Sequence, residues 1–193
     1  MNLNKLRDKA YKCAVAHGWH DENLSDEHFL CLVISELMEA VEADRKGRHA
    51  DTKKFNQEMD YYIHEMKLYG ENYDKAYRDT FEYYLKDSVE DELSDACIRL
   101  LDLAGLRNVD LSAIQQVEYP FGANETFTEF CFGICKQITS FTPERIGMSV
   151  NIHVVLMEIF SYCRAMGIDL LWFIEQKMKY NELRPYKHGN KSY

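Results

Sequence analysis

Leu3, Leu6, Ala10, Cys13, Ala14 and His17 recur at three- and four-residue spacing, which predicts a helix over 3–17 that ends at Gly18. Ser25 or Asp26 is placed to cap a second helix, which runs to about Arg45 and stops near Gly47. That helix is continuously apolar from Phe29 to Ile34, yet Glu36 and Glu39 follow directly, beside Leu37, Met38, Ala40 and Val41. Carboxylates are rarely buried without a positive partner, so the pattern raises the question of what meets them. Between 52 and 86, seven tyrosines and two phenylalanines alternate with charges around Gly70. This predicts a helical hairpin whose aromatics pack on the body; single-strand nucleic acid stacking would want a basic groove, and the stretch is charge-mixed. Ser88 and Asp91 stand at capping-box spacing ahead of a helix that continues to about Leu106. Asp110 can cap a short helix through Val117, and residues 125–139 read as helical. Thr142-Pro143 opens a long helix through Met166, and Asp169 caps the last one, through about Arg184.

With three prolines and nine glycines in 193 residues, the chain is too poor in turn formers for a loop-rich β protein. The expected class is all-α, a helical bundle long enough for one sizeable core or two small packed units. The segment "LAGLRNVDLSAI" (103–114) is echoed by "CRAMGIDLLWFI" (163–174), with Asp110-Leu111 falling on Asp169-Leu170. This suggests two fused helical units, 1–118 and 123–193, divided at "EYPFGAN". In the second unit Asn151 and Val154 stand where Glu92 and Asp95 stand in the first, so that copy is degenerate. Any helix–turn–helix with an aspartate cap gives a similar echo, so the chain reads as a single domain over 1–193, with 1–118 and 123–193 as its candidate sub-units.

The formal net charge of −9 excludes the basic stripe of a duplex-DNA coat protein, but not an anionic small ligand, because bound metal ions invert the local sign. The balance is uneven: Lys177–Tyr193 carries five Lys or Arg against Glu182. Six cysteines form no C-x-x-C pair and lie in apolar helical patterns, so buried reduced thiols are expected. No uncharged apolar run approaches the roughly 20 residues that a membrane span requires, and the N-terminus has no signal-like apolar region. A soluble cytoplasmic protein, engaging neither a membrane nor a nucleic acid polymer, is expected.

Glu36 and Glu39 share one helix face, and Glu92 and Asp95 repeat the spacing on a second apolar helix. A solvated acidic face is the commoner origin of such pairs, but the flanking apolar runs leave little surface for solvent. Hard cations such as Mg²⁺ or Mn²⁺ would relieve the repulsion and keep waters for substrate phosphates. A di-iron carboxylate bundle is a poor reading, since no Glu is followed three residues later by His. Lys177, Asn181 and Arg184 lie at i, i+4 and i+7 on the last helix, where Lys and Arg suit phosphate oxygens and Asn a sugar or base edge. A solvated basic helix end is the plain alternative.

Together, Gly18-Trp19, "LVISELMEAVEADRKGR", "DELSDACIRLLDLAG" and "GIDLLWFIEQKMKYNELRPYKHGNK" resemble the MazG-like, all-α nucleoside triphosphate pyrophosphohydrolases, whose relatives include dimeric dUTPases. The family's E-x-x-E and E-x-x-D motifs fall on Glu36, Glu39, Glu92 and Asp95, which implies that these four bind Mg²⁺, with Mn²⁺ as a substitute, and form the catalytic centre. The closing block implies substrate contacts from Lys177, Asn181 and Arg184, with Lys187 and Lys191 in the basic tail. Fifty-two residues separate Glu39 from Glu92, where the family has a short connection. The implied reaction is hydrolysis of a (deoxy)nucleoside triphosphate to the monophosphate and pyrophosphate, in nucleotide-pool housekeeping. Alternatives are the same chemistry on another substrate such as phosphoribosyl-ATP, or a catalytically silent helical binding protein. The site would be completed within one chain, as an internal pseudo-dimer, or across a homodimer.

Overall fold

The structure, a computed structural model, describes residues 2–69, 72–112, 125–140 and 147–187, with only the backbone for 65–69. Eight helices occur among these residues: α1 Leu3–Ala16, α2 Asp26–Arg45, α3 Thr52–Tyr69, α4 Tyr73–Tyr84, α5 Val89–Leu106, α6 Phe127–Thr139, α7 Met148–Ala165 and α8 Leu170–Glu182. The all-α expectation holds. The caps follow local chemistry: Ser25 accepts from the His28 N–H, Ser88 from Asp91 and Asp169 from Trp172. Thr126 and Glu129 form a reciprocal capping box at α6. At α5 only half of the box forms, because the Asp91 carboxylate accepts from the Asp87 N–H and turns inward.

Two boundaries differ from the sequence reading. Helix α8 ends at Glu182, and Arg184 sits in a tight turn whose N–H bonds the Asn181 carbonyl. Pro185 explains this, since proline disfavours helical backbone in the residue before it. Helix α7 begins at Met148 behind Gly147. Thr142-Pro143, the short helix beyond Ser112, the 118–124 boundary and Gly70 lie outside the described residues. Of the six thiols, all free, Cys97, Cys131 and Cys163 are buried, whereas Cys31 is exposed on the outer face of α2. No helix among the described residues is long and apolar enough to cross a membrane.

Helix α5 is the hub. It is apolar nearly all round, with Leu93, Ala96, Cys97, Leu100, Leu101, Leu103 and Ala104 fully buried, and packs against α1, α2, α7 and α8. Its closest partner is α2, which contributes Val33, Leu37 and Ala40. Each buried Leu there is worth about 1.5–3 kcal/mol of transfer free energy. A smaller aromatic core joins the α3–α4 hairpin to α8. Phe81 stacks on Tyr180 at 4.4 Å, Phe55 meets Trp172 edge-on at 5.6 Å, and the Tyr77 hydroxyl donates to the Gln176 carbonyl at 2.9 Å. The tyrosine-rich insertion thus holds α8 alongside α5.

Helices α6 and α7 close the bundle against α2 and α5 respectively. The 59-residue offset that carries Asp110 onto Asp169 carries Arg99 onto Glu158. Arg99 of α5 donates to Glu36 of α2, and Glu158 of α7 accepts from Gln137 of α6 at 2.6 Å. The two helix pairs therefore share a polar cross-link at matching places. Asn151, opposite Glu92 in this register, is buried and carries no charge.

Gly105 sits where α1 crosses α5: an added Cβ would lie 2.5 Å from the Tyr11 Cβ and 3.3 Å from the Arg7 carbonyl oxygen. Gly105→Ala would favour an isolated helix by roughly 1 kcal/mol. Here it is expected to destabilise the protein by about 1–3 kcal/mol, because Tyr11 is clashed at its root and α1 must shift. Urea unfolding checks this; a midpoint at or above wild type would show that α1 yields freely.

Candidate active site

The two acidic pairs reach one place because α2 and α5 are each other's main packing partners and each presents its i, i+3 pair on one face. Between α1, α2, α5 and α8 lies a cavity of about 360 Å³. Glu36, Glu39, Glu92, Asp95, Lys177, Asn181 and Arg184 all line it, brought together within one chain. Lys187 does not: its N–H donates to the His17 carbonyl at 3.0 Å, and its ammonium lies 3.8 Å from Asp21. Lys191 lies outside the described residues.

The carboxylates divide by the company they keep. Glu36 accepts from the Arg99 Nε at 3.1 Å, so this buried acid has a protein cation that the sequence reading did not identify. Lys177, also buried, places its ammonium 2.8 Å from both Asp91 and Asp95. The Asp91 side chain is 1% exposed and that of Asp95 20%, so Asp91 anchors the lysine while Asp95 faces the cavity. Asp91 was legible only as a cap. The available signal was Lys177 itself, a cation among Phe173, Ile174 and Met178 on the apolar face of α8, which demands a buried acid. Glu39 and Glu92 have no cationic partner among the described residues. Glu36, Glu39 and Glu92 each offer an oxygen within 4.8 Å of the other two, a grouping able to hold a metal ion.

The fields in the cavity follow. Burial pushes the Glu92 carboxyl up to about 9, with the charges of Asp91 and Asp95 adding to it and Lys177 opposing. Burial likewise raises Glu36, reinforced by Asp95 and resisted by Arg99. Burial raises Asp91 too, despite Lys177. Burial alone would lower Lys177, but Asp95 and Asp91 outweigh it and hold the ammonium charged. With two carboxylates at 2.8 Å, the ion pair governs this corner.

Facing the acids, Arg184 has no carboxylate partner among the described residues, and its guanidinium rests 5.8 Å from the Tyr180 ring. Its backbone is fixed by His17, whose Nε2 bonds the Arg184 carbonyl at 3.1 Å. Tyr186 continues this strap, bonding Asp21 and crossing Gly18 so closely that a Cβ there would strike its ring. Gly18 also has φ +78°, so two constraints select glycine. Asn181 Oδ1 is buried without a hydrogen-bond partner, an acceptor in the cavity wall that lacks a donor.

Because Glu92 has a raised carboxyl in the folded chain and an ordinary one near 4.5 when unfolded, the metal-free protein should lose stability as pH rises from about 5 to 9. Glu92→Gln should flatten that slope and raise Tm at pH 8 by a few degrees, each kcal/mol being worth about 2–4 °C at this size. Thermal melts in EDTA across this range measure it; an unchanged slope in the variant would assign the effect elsewhere. Comparison with models of known protein families, with curated proteins and with solved structures finds no match.

Proposed function

We propose that the cavity hydrolyses a nucleoside triphosphate to the monophosphate and pyrophosphate with a divalent metal ion, in the manner of the MazG-like pyrophosphohydrolases whose motifs the chain resembles. The observation that carries this reading is the trio Glu36, Glu39 and Glu92, with oxygens within 4.8 Å, in the same cavity as Arg184, which has no carboxylate partner among the described residues. The donor set fits Mg²⁺ or Mn²⁺: all oxygen, hard and anionic, with two of the three acids lacking a cationic partner among the described residues. Six acids and four Lys or Arg line the cavity, so a polyphosphate would be repelled unless metal supplied the balance. Bound there, the ion would polarise the phosphoryl oxygens and lower the pKa of an attacking water.

The chain's own groups divide the remaining tasks. Arg184, held by His17, offers planar donors to the phosphate oxygens. Lys177 stays anchored on Asp91 and neutralises Asp95, which keeps two like charges from opposing an incoming anion. Asn181 lines the cavity, and its side-chain amide suits a sugar or base edge. Water attacks one phosphorus of the α–β anhydride, the bridging oxygen departs with the half that is not attacked, and the proton of the water passes to solvent or a cavity carboxylate.

Turnover of nucleoside triphosphates is expected with Mg²⁺ or Mn²⁺ and should be lost in EDTA or with Ca²⁺, which is larger and less strict in geometry. Phosphate-release assays coupled to pyrophosphatase read this directly, and full activity in EDTA would reject the metal. Glu39→Gln keeps the shape of a group exposed at the rim. It should cost on the order of 100-fold or more in kcat while leaving Tm level or higher. A variant with near-normal kcat at saturating Mg²⁺ would remove Glu39 from the ligand set.

A further inference from the structure

The face of α5 that carries Glu92 and Asp95 continues along the cavity through Ile98 and Arg99 to Asp102. At 1.5 Å per residue, Asp102 lies about 10 Å beyond Asp95 along the helix axis, the direction in which a nucleotide anchored by its phosphates would extend. The cavity lining also includes Ala10 and Ala14 of α1, Leu32 of α2, Met178 of α8 and Trp19. Apolar surface beside a carboxylate suits an aromatic ring that carries a hydrogen-bonding edge.

Asp102 is buried, and its Oδ1 takes the His20 Nε2 at 2.8 Å. His20 is wedged between Tyr11 and Phe29, with ring centroids 5.1 and 5.5 Å away, so its direction is fixed. Oδ2 of Asp102 takes no hydrogen bond among the described residues. Asp102 lines the cavity, and Oδ2 is an acceptor-only oxygen of a carboxylate held by His20.

We propose that Asp102, oriented by His20, selects substrates whose base carries an exocyclic amino group and rejects uracil and thymine. The inference rests on the nucleotide reading of the cavity. The amino hydrogens of cytosine N4, adenine N6 or guanine N2 donate to the carboxylate, whereas the O4 of uracil or thymine meets it lone pair to lone pair. Asp102 then sets specificity without touching the phosphates.

The decisive variant is Asp102→Asn. His20 donates to Oδ1 and so keeps the amide oxygen where Oδ1 was, which leaves the NH₂ in the place of Oδ2. An acceptor becomes a donor, and the preference should invert rather than merely weaken. For wild type, kcat/KM for dCTP, dATP or dGTP is expected to exceed that for dUTP and TTP by at least about 10-fold, since a mismatched polar edge is left unpaired. In Asp102→Asn the ratio should fall below one. Calorimetric titration of wild type with CMP and UMP gives a second reading that needs neither turnover nor a folded variant.

Wild type that turns over dUTP or TTP as well as dCTP, or binds UMP as tightly as CMP, overturns the proposal while leaving the hydrolase reading intact. A folded Asp102→Asn that loses all bases equally also overturns it, because a structural role alone would then suffice. CMP binding stronger than UMP without any triphosphate turnover would keep the specificity and reject the hydrolysis.

Discussion

The Lys177 ammonium, held at 2.8 Å by Asp91 of one turn and Asp95 of the next, is the contact on which the rest of the site depends. It ties α8 to α5 through a region where unpaired charges would be costly, and it is the reason both helices can carry ionisable groups toward a common cavity. Breaking one member of a buried pair costs several kcal/mol, because the survivor stays buried and uncompensated. The pair is asymmetric in a useful way. Asp91 is sealed and fully engaged, whereas Asp95 is partly open, so the lysine is fixed from behind and presents its charge forward.

Around that contact the apolar framework sets the distances. Helix α5 touches α1, α2, α7 and α8, and of these α1, α2 and α8 are walls of the cavity. The α3–α4 hairpin lies outside the cavity but grips α8 through Phe81, Tyr77 and Phe55. Tyr73 and Tyr77 bond α8 at Lys179 and Gln176, whereas Tyr61 and Tyr83 are exposed and Tyr84 donates to Glu58 within the hairpin. The strap from Arg184 to Lys187 across Gly18 fixes the far side: Arg184 lies beyond the end of α8 and is placed by His17 rather than by helix geometry.

The second half of the chain supports the first without repeating its chemistry. Gln137 and Glu158 cross-link α6 to α7 as Glu36 and Arg99 cross-link α2 to α5, but Asn151 offers no charge where Glu92 stands. A bundle needs four packed helices more than it needs two acidic sites, so the apolar register can persist where the carboxylates do not.

The sequence by itself determined the helices, their caps and the apolar faces, because these depend on spacing and on chemistry between residues three or four apart. It also marked Glu36, Glu39, Glu92, Asp95, Lys177, Asn181 and Arg184 as a constellation, since i, i+3 acids beside apolar runs are unusual without a counter-charge. Which cation meets which acid was decided only by tertiary structure. Arg99 and Glu36 are 63 residues apart, Lys177 and Asp91 86, and His20 and Asp102 82. No local rule links such pairs. Asp91 read as half of a cap because its spacing to Ser88 is local, while its partner on α8 is not. The opening question about Glu36 and Glu39 is thus answered by tertiary structure: Arg99 meets Glu36, while Glu39 and Glu92 meet no cationic side chain among the described residues.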